Sequence, residues 1–249
     1  MPLNRPYVLS IAGFDPSAGA GILADIKTLE QLQVYGLAIC SAITYQHESE
    51  FKGLHWIKLS QLKEQIDILL KKYPITYIKI GLVKDIDTLH HLIDYLKLRV
   101  ANARIIWDPI LKSSSGFGFH KAIDPDILEH TCKKLFLLTP NLHEASQLGG
   151  NEDPEQSALK LSKYCPVLLK GGHSVDTQSN DILFMGGGKT IFRSEKMNEL
   201  NKHGTGCVLS SAIAANLAKG KTLEEACYEA KGYINNFIRS TNGLLGYHN

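Results

Sequence analysis

The clearest chemical signal in the chain is the segment Gly-Thr-Gly-Cys at residues 204–207, which directly precedes a run of small residues at positions 208–218. If that run is a helix, its first backbone N–H groups can bind an anion and stabilise charge on a transferred phosphoryl group. Cys207 lies in the first turn, where the helix dipole should lower the pKa of its thiol. The alternative for a lone cysteine is a small buried apolar residue, which fits Cys40 and Cys227 better than Cys207.

Polar side chains also follow three of the predicted strands. Asp108 ends one strand and Lys170 ends another, and between them Asn141 and Glu144 follow a third. Carboxylate and amide groups can organise hydrated Mg²⁺ with phosphates, and a lysine ammonium can act as a point charge on phosphate oxygens. Two local alternatives stay open, because Asn141 and Glu144 match a helix capping box and an acid before a proline often opens a turn.

Two glycine-rich segments resemble nucleotide-binding motifs incompletely. The first, at residues 12–21, carries a Gly-x-Gly-x-x-Ala pattern, but Pro16 and other residues separate that pattern from the preceding strand, unlike in a dinucleotide fingerprint. We therefore expect small residues that let a ligand approach the backbone. The second, Gly-Gly-Gly-Lys-Thr at residues 186–190, resembles the end of a P-loop, but Leu183 stands where that motif needs a glycine. A hairpin turn is the better interpretation.

The elements that must position these residues alternate between short apolar runs and segments with a helical period. We predict strands at residues 7–12, 37–45, 76–80, 104–107, 135–138 and 167–169. Predicted helices include an apolar stripe at residues 62–73 behind a Ser60 cap, a second stripe at 89–96, a helix opened by Asp153-Pro154, and a final helix with a Thr222–Glu225 capping box.

This alternation predicts an α/β fold with a doubly wound, mostly parallel sheet and helices on both faces. Residues 182–185 and 190–193 are predicted to form an antiparallel hairpin instead. In sheets of this kind, ligands bind beyond the carboxyl ends of the strands. The polar residues at those strand ends should therefore share one site.

Composition restricts the class of protein. The chain has 249 residues, of which 44% are hydrophobic and 21% charged, so we expect one globular domain spanning residues 1–249. The net charge is +2 with scattered Lys and Arg, which argues against nucleic-acid binding. The five cysteines form no C-x-x-C pair, which favours a reducing compartment. We find no signal-peptide pattern and no apolar run that could cross a membrane, so we expect a cytoplasmic protein.

Taken together and in this order, the motifs resemble the hydroxymethylpyrimidine/phosphomethylpyrimidine kinase family of the ribokinase-like superfamily. The resemblance covers nearly the whole chain and rests on residues 12–25, Tyr45-Gln46, Lys79-Ile80-Gly81, residues 108–111, Thr139-Pro140-Asn141 with Glu144, residues 170–173 and residues 204–207. It implies a ribokinase-like fold, ATP with Mg²⁺, and a homodimer. It also implies phosphorylation of 4-amino-5-hydroxymethyl-2-methylpyrimidine and then of its monophosphate, in thiamine diphosphate biosynthesis.

The resemblance also implies a role for individual residues. Asp25 and Gln46 would hydrogen-bond the pyrimidine, although an acid near a helix start is often only a partner of the helix dipole. The other implied roles are a pocket wall of Gly13 and Leu82, Mg²⁺ binding by Asp108 and Glu144, ATP phosphate binding by Asn141 and Lys170, an anion hole of Gly204, Thr205 and Gly206, and Cys207 beside the reacting hydroxymethyl group. The hairpin after Asp181 and the final helix are candidate borders of the adenine site.

The chain departs from the family pattern at a few positions. Many sugar kinases of the superfamily have an aspartate in place of Cys207, as an evident base. Lys112 opens the segment that corresponds to the mobile flap, 112–118, where an apolar residue is usual, and His47-Glu48 follow Gln46 in place of a frequent Asn-Thr. These departures leave the acceptor substrate open.

Three alternatives therefore stay beside the pyrimidine kinase. The first is a pyridoxal or pyridoxine kinase of the same fold, whose flap in some members carries a second cysteine that residues 112–118 lack. The second is a non-catalytic pyrimidine-binding sensor. The third is a nicotinamide-dependent oxidoreductase.

Overall fold

The computed structural model describes residues 5–112, 118–119, 123–171, 178–195 and 202–249. Within these ranges one sheet runs in the order β3-β2-β1-β4-β5-β6-β7-β8-β9. Its strands are β1 (Tyr7–Phe14), β2 (Tyr35–His47), β3 (Glu50–Trp56), β4 (Tyr77–Ile80), β5 (Arg104–Trp107), β6 (Leu137–Leu138), β7 (Val167–Leu169), β8 (Asp181–Met185) and β9 (Gly188–Phe192). The pairs from β2 through β7 are parallel, whereas β3, β8 and β9 are antiparallel to their neighbours.

Helices cover both faces of the sheet. They are α1 (Gly21–Gln31), α2 (Leu59–Leu70), α3 (Ile86–Arg99), α4 (Pro125–Cys132), α5 (Leu142–Gly149), α6 (Pro154–Leu161), α7 (Thr205–Ala218) and α8 (Leu223–Arg239). Apolar residues of α2 to α6 form one core with the sheet, and those of α1, α7 and α8 form a second core on the opposite face.

The strand sequences explain why both faces are covered. Successive side chains of a strand point to opposite faces, and here both sets are apolar. In β5, Ile105 packs into the first core and Ile106 into the second. Helix α7 is buried from Cys207 to Leu217, and its small residues allow it to pack closely between the sheet and its neighbouring helices.

The predicted mostly parallel α/β sheet is confirmed, with strand boundaries within a few residues and with the β8–β9 hairpin antiparallel. Strand β3 was missed because none of its residues is buried, so it has no core-facing apolar pattern. The Ser60 cap was wrong: α2 begins at Leu59, and the Gln61 side chain accepts a hydrogen bond from the backbone N–H of Lys58. No helix in the described ranges is long and apolar enough to cross a membrane.

Candidate active site

A cavity of about 1270 Å³ opens at the carboxyl ends of the parallel strands. All the residues that the sequence analysis assigned to a site line this cavity, with the exception of Asp25: Gly13, Gln46, Leu82, Asp108, Asn141, Glu144, Lys170, Gly204, Thr205, Gly206 and Cys207. Gly172 and His173 and the flap residues 113–117 lie outside the described residues. Residues from distant parts of the sequence therefore share one site because their strands end at the same edge of the sheet.

The predicted anion hole, residues 204–206, lies at the N-terminus of α7. Gly204 is the N-cap residue, with a left-handed backbone (φ +79°). A Cβ atom at this position would lie 2.1 Å from the carbonyl oxygen of Gly19, so only glycine fits without displacing the 12–21 segment. The backbone N–H groups that follow point to where an anion would bind at the start of the helix.

Lys170 lies between two carboxylates at the cavity floor. Its Nζ is 2.6 Å from Asp108 Oδ1 and 3.9 Å from Glu144 Oε2. Burial alone would raise the pKa of Asp108, but the charges of Lys170 and Lys79 lower it below its ordinary value. Burial raises the pKa of Glu144 to about 7, because the attraction of Lys170 offsets only part of that effect. One acid is therefore firmly ionised, whereas the other titrates near neutral pH.

Glu144 also closes a capping box. Its Oε2 accepts a hydrogen bond from the backbone N–H of Asn141 (2.8 Å), and Asn141 Oδ1 accepts one from the backbone N–H of Glu144 (2.9 Å). The capping alternative is thus confirmed for α5, and it is compatible with a site role because both side chains also line the cavity. The cap fixes the position of the carboxylate beside Lys170.

The carboxylate set fits Mg²⁺ held jointly by protein and substrate. Among the described residues no group of three or more His, Cys, Asp or Glu side chains could hold a metal ion. Mg²⁺ usually keeps several waters and takes one or two carboxylates together with substrate phosphates. Asp108 and Glu144 supply that smaller set, so they could serve Mg²⁺ that arrives with a nucleotide.

The prediction that the helix dipole lowers the pKa of the Cys207 thiol was wrong. The thiol is at the start of α7, as expected, but its residue is only 5% exposed. Burial raises the pKa of Cys207 to about 12, and the positive charge of Lys79 offsets this only in part. The favourable helix dipole is therefore outweighed by desolvation. In the ligand-free protein the thiol is protonated at neutral pH.

Asp25 does not reach the cavity, contrary to the expectation that it contacts the pyrimidine. It is fully buried, and its carboxylate accepts hydrogen bonds from Lys79 Nζ (2.8 and 2.9 Å), Ser10 Oγ (2.6 Å) and Ser211 Oγ (2.8 Å). A carboxylate that is saturated in this way has no place for a ring substituent. From the sequence, Lys79 was identified only as part of the Lys79-Ile80-Gly81 motif, and its pairing with Asp25 was not predicted.

One end of the cavity is shaped by β1, β2 and the loop after β4. Beyond Ile43, strand β2 continues past β1 and pairs with β3, which carries Gln46 to the cavity wall. A Cβ atom on Gly13 would lie 3.0 Å from Leu82 Cδ2, so the wall is closely packed here. Lys112 and Phe119 line the same cavity. This end combines apolar surface with a few polar groups, among them the Gln46 amide and the Lys112 ammonium, as sites for small aromatic ligands commonly do.

The other end lies between β8 and α8, which correspond to the predicted borders of the adenine site, the hairpin after Asp181 and the final helix. Lys231 Nζ is 2.9 Å from Asp181 Oδ2 and donates to the carbonyl oxygen of Ser179 (2.7 Å). Asn235 and Ile238 line the cavity beside them. This end combines a buried ion pair with apolar and amide surface.

A further buried pair, His203 with Asp15, connects the 12–21 segment to the start of α7. It was not predicted from the sequence. His203 Nε2 lies 2.8 Å from Asp15 Oδ2, and the side chains of both residues are almost fully buried. Asp15 also accepts hydrogen bonds from the backbone N–H groups of Ser17 and Ala20. The two residues are 188 positions apart, and no local pattern in the sequence could have indicated this contact.

Comparison with known proteins agrees with this geometry. The model of the phosphomethylpyrimidine kinase family matches residues 15–249. The chain belongs to this family. A hydroxymethylpyrimidine/phosphomethylpyrimidine kinase of Staphylococcus aureus is 33% identical in an alignment of 249 positions, which covers 96% of this chain and 90% of that protein. A bifunctional thiamine biosynthesis protein of Geobacter sulfurreducens is 34% identical over 96% of this chain, but the chain spans about half (50%) of its length.

Solved structures of family members and relatives have the same architecture. A phosphomethylpyrimidine kinase from Clostridium difficile matches with a TM-score of 0.79 and 30% identity, covering 94% of this chain and 100% of that one. The pyridoxal kinase of Staphylococcus aureus in complex with ADP matches with a TM-score of 0.84 and 26% identity, over 98% of this chain and 93% of that one. These matches confirm the predicted family and the ribokinase-like fold.

Proposed function

We propose that this protein transfers a phosphoryl group from ATP to the hydroxymethyl group of 4-amino-5-hydroxymethyl-2-methylpyrimidine. The observation that carries the proposal is one cavity with three parts: the backbone at residues 204–206, the Asp108–Lys170–Glu144 cluster, and the end lined by Gln46, Gly13 and Leu82. A transferring phosphoryl group needs mainly positioning and charge neutralisation. The cavity offers both beside an acceptor pocket.

Each part of the cavity has a place in this reaction. Gln46 hydrogen-bonds the acceptor ring, while Gly13 and Leu82 form its apolar walls. The backbone at residues 204–206 stabilises charge on the transferred group. Cys207 lies at that position, and its thiolate form, of which burial leaves only a small fraction at neutral pH, would act as the base and accept the proton of the hydroxymethyl group. The deprotonated oxygen then attacks the terminal phosphorus of ATP, and ADP leaves.

Lys170 and Asn141 are placed to bind the ATP phosphates, and Asp108 and Glu144 to hold Mg²⁺. Bound Mg²⁺ would neutralise phosphate charge during the transfer. We place the adenine end between β8 and α8, beside Lys231 and Asn235. The ADP complex of a pyridoxal kinase with the same fold supports nucleotide binding in this architecture.

The names of the relatives support the pyrimidine as acceptor and thiamine diphosphate biosynthesis as the context, including a second transfer onto the monophosphate. The second candidate function is that of a pyridoxal kinase. One observation favours it: several of the similar structures are pyridoxal kinases, one of them solved with pyridoxal. Pyridoxal also presents a hydroxymethyl group on an aromatic six-membered ring. The relatives named above are kinases, which argues against a sensor and against a nicotinamide oxidoreductase. A single domain and a homodimer remain our expectations.

An acceptor panel tests the proposal. Purified protein is mixed with ATP and Mg²⁺, and ADP release is measured with the hydroxymethylpyrimidine, with pyridoxal, with pyridoxine and without acceptor. We expect the largest kcat/KM for the pyrimidine. A larger value for pyridoxal would move the assignment to the second candidate, and ADP release that no acceptor stimulates would contradict both kinase assignments.

A further inference from the structure

The motif Lys79-Ile80-Gly81 has no place in the roles described above, although Lys79 is fully buried close to the site. Lys79 is on β4, Ser10 on β1 and Ser211 on α7, and all three donate hydrogen bonds to the carboxylate of Asp25 on α1. We call these four residues the Lys79 quartet. A fully buried charged pair is costly to form and seldom stabilises a fold more than apolar residues would, so its position invites a functional explanation.

The quartet lies directly below the cavity wall. A Cβ atom on Gly81 would be 3.0 Å from Lys79 Nζ, so the ammonium turns back under the loop that follows β4. The next residue of that loop, Leu82, lines the cavity. The ammonium thus reaches the underside of the acceptor pocket without entering it.

Two contacts, one helical turn apart, join α1 to α7. In the first, the backbone N–H of Gly21 lies close to the sulfur of Cys207 and lowers the pKa of the thiol. In the second, Ser211 Oγ donates to Asp25 Oδ1 at 2.8 Å. Asp25 follows Gly21 by four positions, and Ser211 follows Cys207 by four positions, so each pair lies on one face of its helix. The second contact therefore fixes the register of the first.

Gly21 in turn fixes the acceptor wall. Its backbone is left-handed (φ +59°), and a Cβ atom there would lie 2.2 Å from the carbonyl oxygen of Gly13. Gly13 lines the cavity beside Leu82. A shift of α1 along α7 would consequently move the Cys207 thiol relative to the wall against which the acceptor binds.

We propose that Lys79 and Asp25 are positioning residues, whose buried ion pair with Ser10 and Ser211 holds the thiol of Cys207 and the anion hole in register with the acceptor wall. The roles of the thiol and the wall rest on the proposed function, whereas the contacts of the quartet do not. The pair also sets the local charge: the ammonium of Lys79 lowers the pKa of Cys207, and the carboxylate of Asp25 raises it.

The first test measures the thiol without any turnover. The rate at which iodoacetamide modifies Cys207 is followed by mass spectrometry of the peptide that carries it, in wild type, Lys79→Met and Asp25→Asn. Removing the nearby positive charge should slow the reaction and removing the negative charge should accelerate it, each by about tenfold. A merely structural role would loosen the site in both variants, so acceleration in both would overturn the proposal.

The second test separates positioning from stability, and it stays informative if the single variants unfold. The double variant Asp25→Asn/Lys79→Met removes both charges and conserves volume, which a fold tolerates well. We expect a melting temperature close to wild type, unchanged KM for ATP, and a kcat lowered by about 10²-fold, as displacement of a reacting group by roughly 1 Å can cause. Wild-type kcat in the folded double variant would overturn the proposal.

A matched control comes from the opposite core. Ile66 on α2 is fully buried and is not part of the cavity lining, so Ile66→Ala should lower the melting temperature while leaving kcat and the alkylation rate of Cys207 unchanged. If the wild-type protein phosphorylates no member of the acceptor panel, the proposed function fails. The alkylation test still decides the role of the quartet, because it needs no substrate.

Discussion

Lys170 Nζ lies 2.6 Å from Asp108 Oδ1, although the two residues are 62 positions apart in the chain. Asp108 is buried, the side chain of Lys170 is 12% exposed, and Glu144 Oε2 lies 3.9 Å from the same ammonium. In the free protein Lys170 thus neutralises the two acids that we assign to Mg²⁺. We expect Lys170 to bind the phosphate oxygens of a nucleotide in place of these carboxylates. This exchange of partners is the basis of the first prediction.

Replacing Lys170 by methionine removes this charge with little change in volume. We expect kcat/KM for ATP to fall by about 10²–10³-fold, the usual loss when one charge-stabilising donor is removed, while the pyrimidine still binds in the absence of nucleotide. Steady-state kinetics and calorimetry measure the two effects. Lys97→Met is the matched control, because Lys97 is a partly buried lysine that donates to the carbonyl oxygen of Ala103 outside the cavity. Equal losses in the two variants would argue against a phosphate role.

Glu144 should make Mg²⁺ use depend on pH near neutrality. Its pKa is raised from 4.5 to about 7, so the carboxylate is increasingly protonated below that pH and binds the metal less well. We expect the Mg²⁺ concentration for half-maximal rate to rise as the pH falls below about 7, and Glu144→Gln to remove this dependence. If the variant only lowers the melting temperature and keeps the Mg²⁺ profile, the residue is a helix cap and nothing more.

The same shift has a consequence for stability. Because the folded protein binds this proton more tightly than the unfolded chain, the contribution of Glu144 is fully present below its ordinary pKa of 4.5 and is lost as the pH rises through about 7. The melting temperature of the ligand-free wild type should therefore fall over this window relative to Glu144→Gln. Differential scanning calorimetry at several pH values measures the difference, and parallel profiles would contradict the raised pKa.

Two glycines flank α7 and provide a matched pair for the anion hole. Gly204 and Gly220 both have positive φ, but a Cβ atom would meet Gly19 only at Gly204 and finds nothing within 4 Å at Gly220. Gly220→Ala should cost about 1–2 kcal/mol of backbone strain and leave kcat unchanged. Gly204→Ala should cost more and abolish activity, because the 12–21 segment must move. Equal melting temperatures and equal activities would contradict the close contact.

Cys207 separates two mechanisms. If it is the base, Cys207→Ser and Cys207→Ala should lose about 10²–10⁴-fold in kcat. Because burial raises the pKa of the thiol to about 12, kcat/KM of the wild type should also rise with pH across the neutral and alkaline range as the thiolate fraction grows. A kcat within about threefold of wild type, less than ~1 kcal/mol in barrier, would refute the base role and leave the kinase assignment standing.

Much of the fold could be predicted because it depends on local patterns. The buried strands are continuous apolar runs, and the caps at Asn141, Asp153 and Thr222 are short-range motifs that formed as expected. Strand β3 has no buried residue and so no apolar pattern to detect. A strand whose residues show no periodic burial therefore cannot be recognised from the sequence alone.

The site was predicted unevenly for a related reason. Residues at strand ends meet because of topology, and topology followed from the alternation of elements. The contact of Lys79 with Asp25 spans 54 positions, and its chemistry depends on burial that only tertiary packing creates. The same packing reversed the expected pKa shift of Cys207, since desolvation outweighs the helix dipole. The resemblance implied direct contact of Asp25 with a ligand, whereas the structure places Asp25 fully buried and outside the cavity lining.

The most direct test of the central claim is the identity of the product. The protein is incubated with ATP, Mg²⁺ and 4-amino-5-hydroxymethyl-2-methylpyrimidine, and the reaction is followed by mass spectrometry and phosphorus NMR, with Lys170→Met as the control. We predict first a phosphate ester on the hydroxymethyl oxygen, and then a diphosphate, with one ADP released for each transfer. A pyrimidine of unchanged mass, recovered under conditions in which the same protein phosphorylates pyridoxal or merely hydrolyses ATP, would contradict the account.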